Sequence, residues 1–146
     1  MNRRVVITGM GINSCIGNSL EDVTHSLQNG ISGTRHNPIY EELNFKSHVS
    51  AAAEQNFDNI DRKLKRFMGV CAMYAYNSAL AAVEHAGLTA EQLGGNPRYG
   101  IAGGSGGGST ASVMEMKELL DTKGARKVGP FFVPRNMSNT ITANVG

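Results

Sequence analysis

The sequence contains few residues that could crosslink the chain or place it in a membrane. Its two cysteines, Cys15 and Cys71, are too few for a disulfide framework and have no metal-binding spacing. It shows no signal peptide and no run of 18 apolar residues, which a membrane-spanning helix requires. These absences predict a cytoplasmic protein in a reducing compartment, with no membrane insertion and no metal site.

Net charge is also low, at +2, so the overall charge balance predicts no partner. The cations are nevertheless concentrated at two places. The first basic cluster consists of Arg62, Lys63, Lys65 and Arg66. The second basic cluster consists of Lys123, Arg126 and Lys127. Such clusters attract acidic partners even when net charge is small. Nucleic acid is not the expected partner, because no recognisable nucleic-acid-binding module accompanies them.

The hydrophobic pattern predicts strands that alternate with helices. β-branched or apolar runs predict buried strands at residues 3–8 and 98–102, and a short strand near residues 48–52. Helical spacing and capping residues predict helices at 19–28, 61–86, 89–92 and 111–122, and a last helix from Pro134. This order is typical of the α/β class with a largely parallel sheet.

Glycine is abundant, with 18 residues, and much of it lies in short clusters. Gly9 and Gly11 fit the start of a dinucleotide-binding fingerprint, but Ser14 occupies the third glycine position. Residues 31–33 also lack the required carboxylate, so a nucleotide-dependent reductase is disfavoured and close packing is preferred. The loop 103–109 lacks a phosphate-loop lysine. Its spacing leaves open a tight turn or a backbone surface for an anion or substrate.

Four segments in order resemble the beta-ketoacyl-acyl-carrier-protein synthases, most closely type I. They are Arg4–Gly11, Asp61–Met68 with its Asp-Arg-Lys and Arg-Phe-Met triplets, Ala102–Ser109 with its triple glycine, and Gly129–Met137. The resemblance covers essentially residues 1–146, as one truncated N-terminal part of a synthase N-terminal domain. It implies a thiolase-like fold, here an incomplete N-terminal half-domain with a mixed, largely parallel sheet and packed helices.

The resemblance also implies an activity. The family elongates fatty acids by a decarboxylating Claisen condensation, usually as a homodimer. Its substrates are carried on the phosphopantetheine of acyl-carrier protein, and no other cofactor is expected. The family's nucleophilic cysteine and two histidines lie downstream of these residues, so no catalytic residue is expected here. Cys15 and Cys71 are interpreted as packing residues. The histidines are interpreted as surface or hydrogen-bonded residues: His25, His36, His48 and His85.

Residues of the two basic clusters match the family's docking surface for acyl-carrier protein: Arg62, Lys63, Arg66, Lys123 and Arg126. Cations at the start of a helix also oppose its dipole, which favours a role beyond stability. Gly107 and Met137 match positions of the acyl-chain pocket, the latter reaching it across the dimer interface. The alternative to part of an active synthase is a non-catalytic carrier-protein-binding remnant or partner subunit.

Overall fold

Helices make up most of the architecture in the computed structural model, which describes residues 3–146. Eight α-helices follow one another along this described part of the chain: α1 (Leu20–Gln28), α2 (Pro38–Glu42), α3 (Arg62–Lys65), α4 (Val70–His85), α5 (Ala90–Leu93), α6 (Thr110–Lys123), α7 (Phe132–Asn136) and α8 (Thr140–Val145). One turn of 3-10 helix, Ala125–Lys127, separates α6 from α7. Two short strands, β1 (Arg35–His36) and β2 (Val49–Ser50), pair antiparallel.

Helices with strong local signals form where the sequence predicts them. The Ser19 hydroxyl accepts from the backbone N–H of Asp22 at 3.0 Å and caps α1, whose first turn is acidic. Thr89 and Gln92 form the predicted reciprocal capping box at the start of α5. α6 confirms the helix predicted over 111–122 and extends it by one residue at each end. These helix starts could be predicted because capping depends on residues that are close together in the sequence.

The single helix predicted over 61–86 is wrong, because the chain breaks into α3 and α4. Gly69 adopts an extended conformation at the break, with ψ 168°. A Cβ atom there would lie 2.7 Å from the Cβ of Ser109 and 2.8 Å from the carbonyl oxygen of Arg135. The start of α6 and the end of α7 therefore press against this glycine, and that tertiary contact overrides helix propensity.

The strands predicted at 3–8 and 98–102 are also wrong for the described residues. Neither segment pairs with another strand, and Val5 and Ile7 are 91% and 83% exposed. A strand needs ladder hydrogen bonds from a neighbour, and residues 3–146 supply none to these segments. The sheet within residues 3–146 consists of the antiparallel pair β1–β2. β2 confirms part of the strand predicted at 48–52. Pro134 does not open the last helix, since it lies inside α7.

α4 is the scaffold on which other elements assemble. Its Ala72 forms the core with Ile60 and Met68, and all three are at most 3% exposed. Four half-buried side chains close around them: Phe57, Leu64, Met73 and Tyr76. α8 packs along α4, and α7 packs on α6. Burial of this apolar surface is the main stabilising contribution. Among the helices of residues 3–146 we find no candidate for a membrane-spanning segment.

The first glycine motif packs directly on α4. A Cβ atom at Gly9 would lie 2.7 Å from the Cβ of Ala86, and one at Gly11 would overlap the carbonyl oxygen of Ser78. Next along the chain, the side-chain amide of Asn13 donates to the carbonyl oxygen of Tyr74 at 2.8 Å. The extended step from Gly11 to Asn13 therefore runs along the four-residue stretch of α4 from Ser78 to Tyr74, about one helical turn. Two residues of extended chain and one turn of helix have similar lengths. Close packing explains these glycines.

Candidate functional site

The first basic cluster lies on α3 and the residue that follows it. The Asp61 carboxylate accepts from the backbone N–H of Lys63 at 2.7 Å and so caps the helix. Leu64 faces the core, while Arg62, Lys63 and Arg66 are exposed. α3 has only four residues, so its dipole is small and the dipole argument made from the sequence loses most of its weight. The case for a binding role therefore depends on the exposure and pairing of these cations.

None of the cations of either cluster forms an ion pair within residues 3–146. The ion pairs of this described part join His36 to Glu41, Lys117 to Asp121 and Arg135 to Glu115. Within the described part of the chain, the seven cations of the two clusters have no carboxylate within 4.0 Å. Because no close carboxylate neutralises their positive charge, that charge is available to an acidic partner.

The second basic cluster lies where α6 ends. Lys123 is the last residue of α6, and Gly124 stops the helix with φ +79°. Arg126 and Lys127 follow on the 3-10 turn, and all three cations are exposed. A cation at the end of a 14-residue helix is stabilised by the helix dipole, which gives Lys123 an ordinary structural role. Arg126 and Lys127 lie beyond the helix and have no such explanation.

Contacts from α7 and the residue before it reach the end of the first basic cluster and limit its distance from the second. The Phe131 ring packs edge-to-face on Phe67, with centroids 5.1 Å apart. Arg135 donates from Nε to the carbonyl oxygen of Arg66 at 3.0 Å. Phe131 touches Phe67, which follows Arg66, and Lys127 lies four residues before Phe131. The reach of these short stretches of chain limits the distance between the Cα atoms of Arg66 and Lys127 to on the order of 30 Å. The two clusters therefore lie no farther apart than about this length.

Arg135 was not predicted as a site residue. Its sequence signal is weak, since it lies inside the Gly129–Met137 segment but has no charged neighbour. In the structure its guanidinium also lies 3.4 Å from Glu115 and 5.4 Å from the ring centre of Phe132. These contacts place it as a positioning residue between the end of α3 and helices α6 and α7.

The two predicted pocket residues lie on adjoining segments. The backbone N–H of Ser105 donates to the carbonyl oxygen of Ser138 at 3.1 Å. A Cβ at Gly108, which has φ +58°, would lie 2.5 Å from the carbonyl oxygen of Asn136. Gly107 and Met137, next to these contacts, are both exposed, and a Cβ at Gly107 would meet no atom within 4 Å. The structure thus brings them to one region with open space at Gly107.

The cysteines occupy different surroundings. Cys15 is half-buried and packs against Gly33. A Cβ added at Gly33 would lie 2.6 Å from the Sγ atom of Cys15. Cys71 was predicted in the middle of a helix, but it is the second residue of α4 because the chain breaks at Gly69. His85 accepts from the backbone N–H of Met10 at 3.0 Å, as expected of a structural histidine. No group of three His, Cys, Asp or Glu ligands in residues 3–146 includes either cysteine.

The sequence matches one family along nearly its whole length. The family model described as "Beta-ketoacyl synthase, N-terminal domain" matches residues 2–146. Over 143 residues the chain is 41% identical to 3-oxoacyl-acyl-carrier-protein synthase 1 of Haemophilus influenzae, a match that covers 97% of this chain and 35% of that relative. The chain therefore spans about a third of the length of the curated relatives it matches.

Solved structures confirm the thiolase-like fold predicted from the resemblance. A beta-ketoacyl synthase from Burkholderia phymatum matches with TM-score 0.79 and 28% identity, over 99% of this chain and 36% of that chain. A second match is the AntDE:AntF structure, a type II PKS acyl-carrier protein in complex with its ketosynthase. Its TM-score is 0.74 and its identity 18%, over 99% of this chain and 39% of that chain. At that identity the second likeness shows the fold alone.

Proposed function

We propose that this chain, which belongs to the beta-ketoacyl synthase N-terminal domain family, is part of a 3-oxoacyl-acyl-carrier-protein synthase that elongates fatty acids. The observation that carries the proposal is 41% identity to such a synthase across 97% of the chain. Because the chain spans 35% of that relative, the reaction belongs to a longer protein.

The proposed reaction is a decarboxylating Claisen condensation. An acyl group passes from carrier protein to a cysteine thiolate and forms a thioester. Malonyl-carrier protein then loses carbon dioxide, and the resulting carbanion attacks the thioester carbonyl. The thiolate leaves, and the product is a 3-oxoacyl-carrier protein that is two carbons longer. In this proposal the nucleophile and the two histidines come from residues outside 3–146, and Cys15 and Cys71 only pack.

The role proposed for this chain is first to dock acyl-carrier protein. The docking residues are Arg62, Lys63, Arg66, Lys123 and Arg126. Support comes from their exposure, from their lack of carboxylate partners within residues 3–146, and from the Arg135 hydrogen bond that ties α7 to the first cluster. An acidic partner gains association rate and orientation from such a surface. The 41% identical relative is named as an acyl-carrier-protein synthase, which also supports a carrier-protein partner.

The second proposed role is to form part of the acyl-chain pocket. Gly107 leaves open space at its Cβ position, and Met137 lies on the segment that packs against the same loop. Glycine at this position admits medium or long acyl chains, since no side chain fills the space. Met137 is 46% exposed in this chain, which leaves it available to reach a partner protomer in a homodimer.

Several further features belong to the same proposal. Substrates arrive on phosphopantetheine, and the condensation uses no separate cofactor. The complete enzyme is cytoplasmic and homodimeric. The alternative is a carrier-protein-binding protein without condensing activity, since both hypotheses use the same basic surface.

A condensation assay of the complete gene product tests the proposal. Purified protein is incubated with acyl- and malonyl-carrier protein, and the carrier-bound product is analysed by intact mass. The proposal predicts carbon dioxide release and a 3-oxoacyl-carrier protein two carbons longer than the starting acyl group. Carrier-protein binding without condensation would favour the non-catalytic alternative, and absence of both would contradict the proposal.

A further inference from the structure

Three side chains of metal-ligating type come together between α1 and α3. One ring nitrogen of His36, one carboxylate oxygen of Glu41 and one ring nitrogen of His48 all lie within 4.8 Å of one another. Within residues 3–146 no other group of three such residues does so. The sequence gives no warning of this cluster, because spacings of five and seven residues match no common metal motif.

The local fold brings the three residues together. The β1–β2 pairing sets His36 opposite Val49, so His48 is next to that position. The backbone N–H of Asn37 then donates to the carbonyl oxygen of His48 at 2.7 Å. The Asn37 side chain caps α2 by accepting from the backbone N–H of Ile39 at 3.1 Å, and α2 carries Glu41. Backbone hydrogen bonds therefore fix the relative positions of all three residues.

The hydrogen bonding of His48 prepares it to act as a ligand. Its Nε2 lies 2.9 Å from the carbonyl oxygen of Phe45. A carbonyl oxygen can only accept, so Nε2 donates in this hydrogen bond, and Nδ1 is the ring nitrogen that remains for an ion. A ligating histidine usually donates its other ring N–H to a carbonyl or carboxylate in this way, which fixes its tautomer.

We propose that His36, Glu41 and His48 form a binding site for one Zn²⁺ ion. Two imidazoles and one carboxylate are a zinc-binding set that leaves a fourth position open. Ligand distances of about 2.0–2.1 Å in a tetrahedral site require donor atoms roughly 3.3–3.4 Å apart. His36 Nε2 and Glu41 Oε2 are already 3.4 Å apart. Their side chains are 59% and 62% exposed, so an ion has access and water can fill the fourth position.

The same contact without metal is a surface histidine–glutamate pair, which contributes little to stability. A third ligand atom distinguishes the two interpretations, because His48 places a second imidazole nitrogen within 4.8 Å of the pair. A bound ion would join β1, α2 and the residue that precedes β2. It would therefore restrain the segment 35–50, which lies outside the proposed docking and pocket residues.

Calorimetric titration of the metal-free complete gene product with Zn²⁺ alone tests the site. The account predicts that each chain binds one Zn²⁺ ion. The dissociation constant for Zn²⁺ should rise at least tenfold in His36→Ala and in Glu41→Gln, because each variant loses one ligand. The control is His25→Ala, an exposed histidine outside the cluster, which should leave the titration unchanged. Mg²⁺ should not compete, because imidazole ligands favour zinc.

A spectroscopic measurement distinguishes the site from unrelated zinc binding in the same protein. Imidazole ¹⁵N spectra should show Zn²⁺-dependent shifts for His36 and His48 but not for His25. Unchanged affinity in His36→Ala and Glu41→Gln would overturn the proposal, and so would equal weakening in His25→Ala. Both ligand variants alter exposed side chains, so we expect both proteins to remain folded. Circular dichroism of each variant checks this.

Discussion

Arg135 donates from Nε to the carbonyl oxygen of Arg66, at 3.0 Å, and so ties α7 to the end of the first basic cluster. A hydrogen bond from a charged donor stabilises by roughly 1.5–3 kcal/mol, with the lower end expected at this partly exposed position. We predict that Arg135→Met lowers the free energy of unfolding by about 1.5 kcal/mol and weakens carrier-protein binding about threefold. Urea denaturation and a binding titration measure these effects.

Arg135→Gln separates positioning from direct charge recognition. Glutamine keeps an N–H donor but no charge, so it should retain more affinity than methionine if Arg135 positions the cluster. Equal losses in both variants would mean that the charge itself contacts the partner. Arg98→Met, at an exposed cation outside both clusters, is the matched control and should change neither quantity.

Gly11 lies against α4 with no room for a side chain. We predict that Gly11→Ala destabilises the protein by about 1–3 kcal/mol, because the added methyl overlaps the carbonyl oxygen of Ser78. Gly129→Ala is the control, since a Cβ there meets no atom within 4 Å, and its effect should stay within about 0.5 kcal/mol. Chemical denaturation compares the two variants. A tolerated Gly11→Ala would refute the close packing described here.

Gly107 tests the proposed acyl pocket. Gly107→Met should fit within this chain without strain, because the position has neither a positive φ nor a nearby atom. We expect kcat/KM for long acyl substrates to fall at least tenfold relative to short ones, or about 1.4 kcal/mol of selectivity. Gly106→Met, equally unhindered, is the control for loop disturbance. An unchanged ratio, or the same shift at position 106, would contradict the pocket assignment.

The cysteines test where the nucleophile lies. We predict that the double variant Cys15→Ser with Cys71→Ser keeps kcat within about threefold of the parent enzyme, because neither thiol attacks the acyl group. Steady-state condensation rates of the complete gene product provide the measurement. A loss of roughly a thousandfold or more would show that one of these residues is the nucleophile. Single variants would then identify which.

The sequence predicted local features of the fold better than long-range ones. The start of α1 depends on Ser19 and Asp22, three residues apart, and the start of α5 on Thr89 and Gln92, also three apart. The break at Gly69 depends on Ser109 and Arg135, which are distant in the sequence. Strand pairing has the same dependence on distant partners. Residues 3–8 carry a strand pattern but receive no partner within the described chain.

The site divides in the same way. Clusters of cations are visible in a sequence, and their exposure follows from charge, so Arg62, Lys63 and Arg66 could be identified early. The contacts of Phe131 and Arg135 with the end of the first cluster arise from tertiary packing. The likeness of Gly107 and Met137 to a family pocket came from motif order. Their adjacency became visible only through the Ser105–Ser138 hydrogen bond.

The most direct test of the account is the affinity of acyl-carrier protein for the complete gene product carrying Lys63→Glu and Arg66→Glu. The comparison is with Lys46→Glu and Arg98→Glu, which make the same charge change at exposed cations outside both clusters. Calorimetry at low and moderate salt gives the dissociation constants. The account predicts at least tenfold weaker binding, about 1.4 kcal/mol, in the cluster variant and a much smaller effect in the comparison variant. Equal affinity of the cluster variant and the parent protein would contradict it.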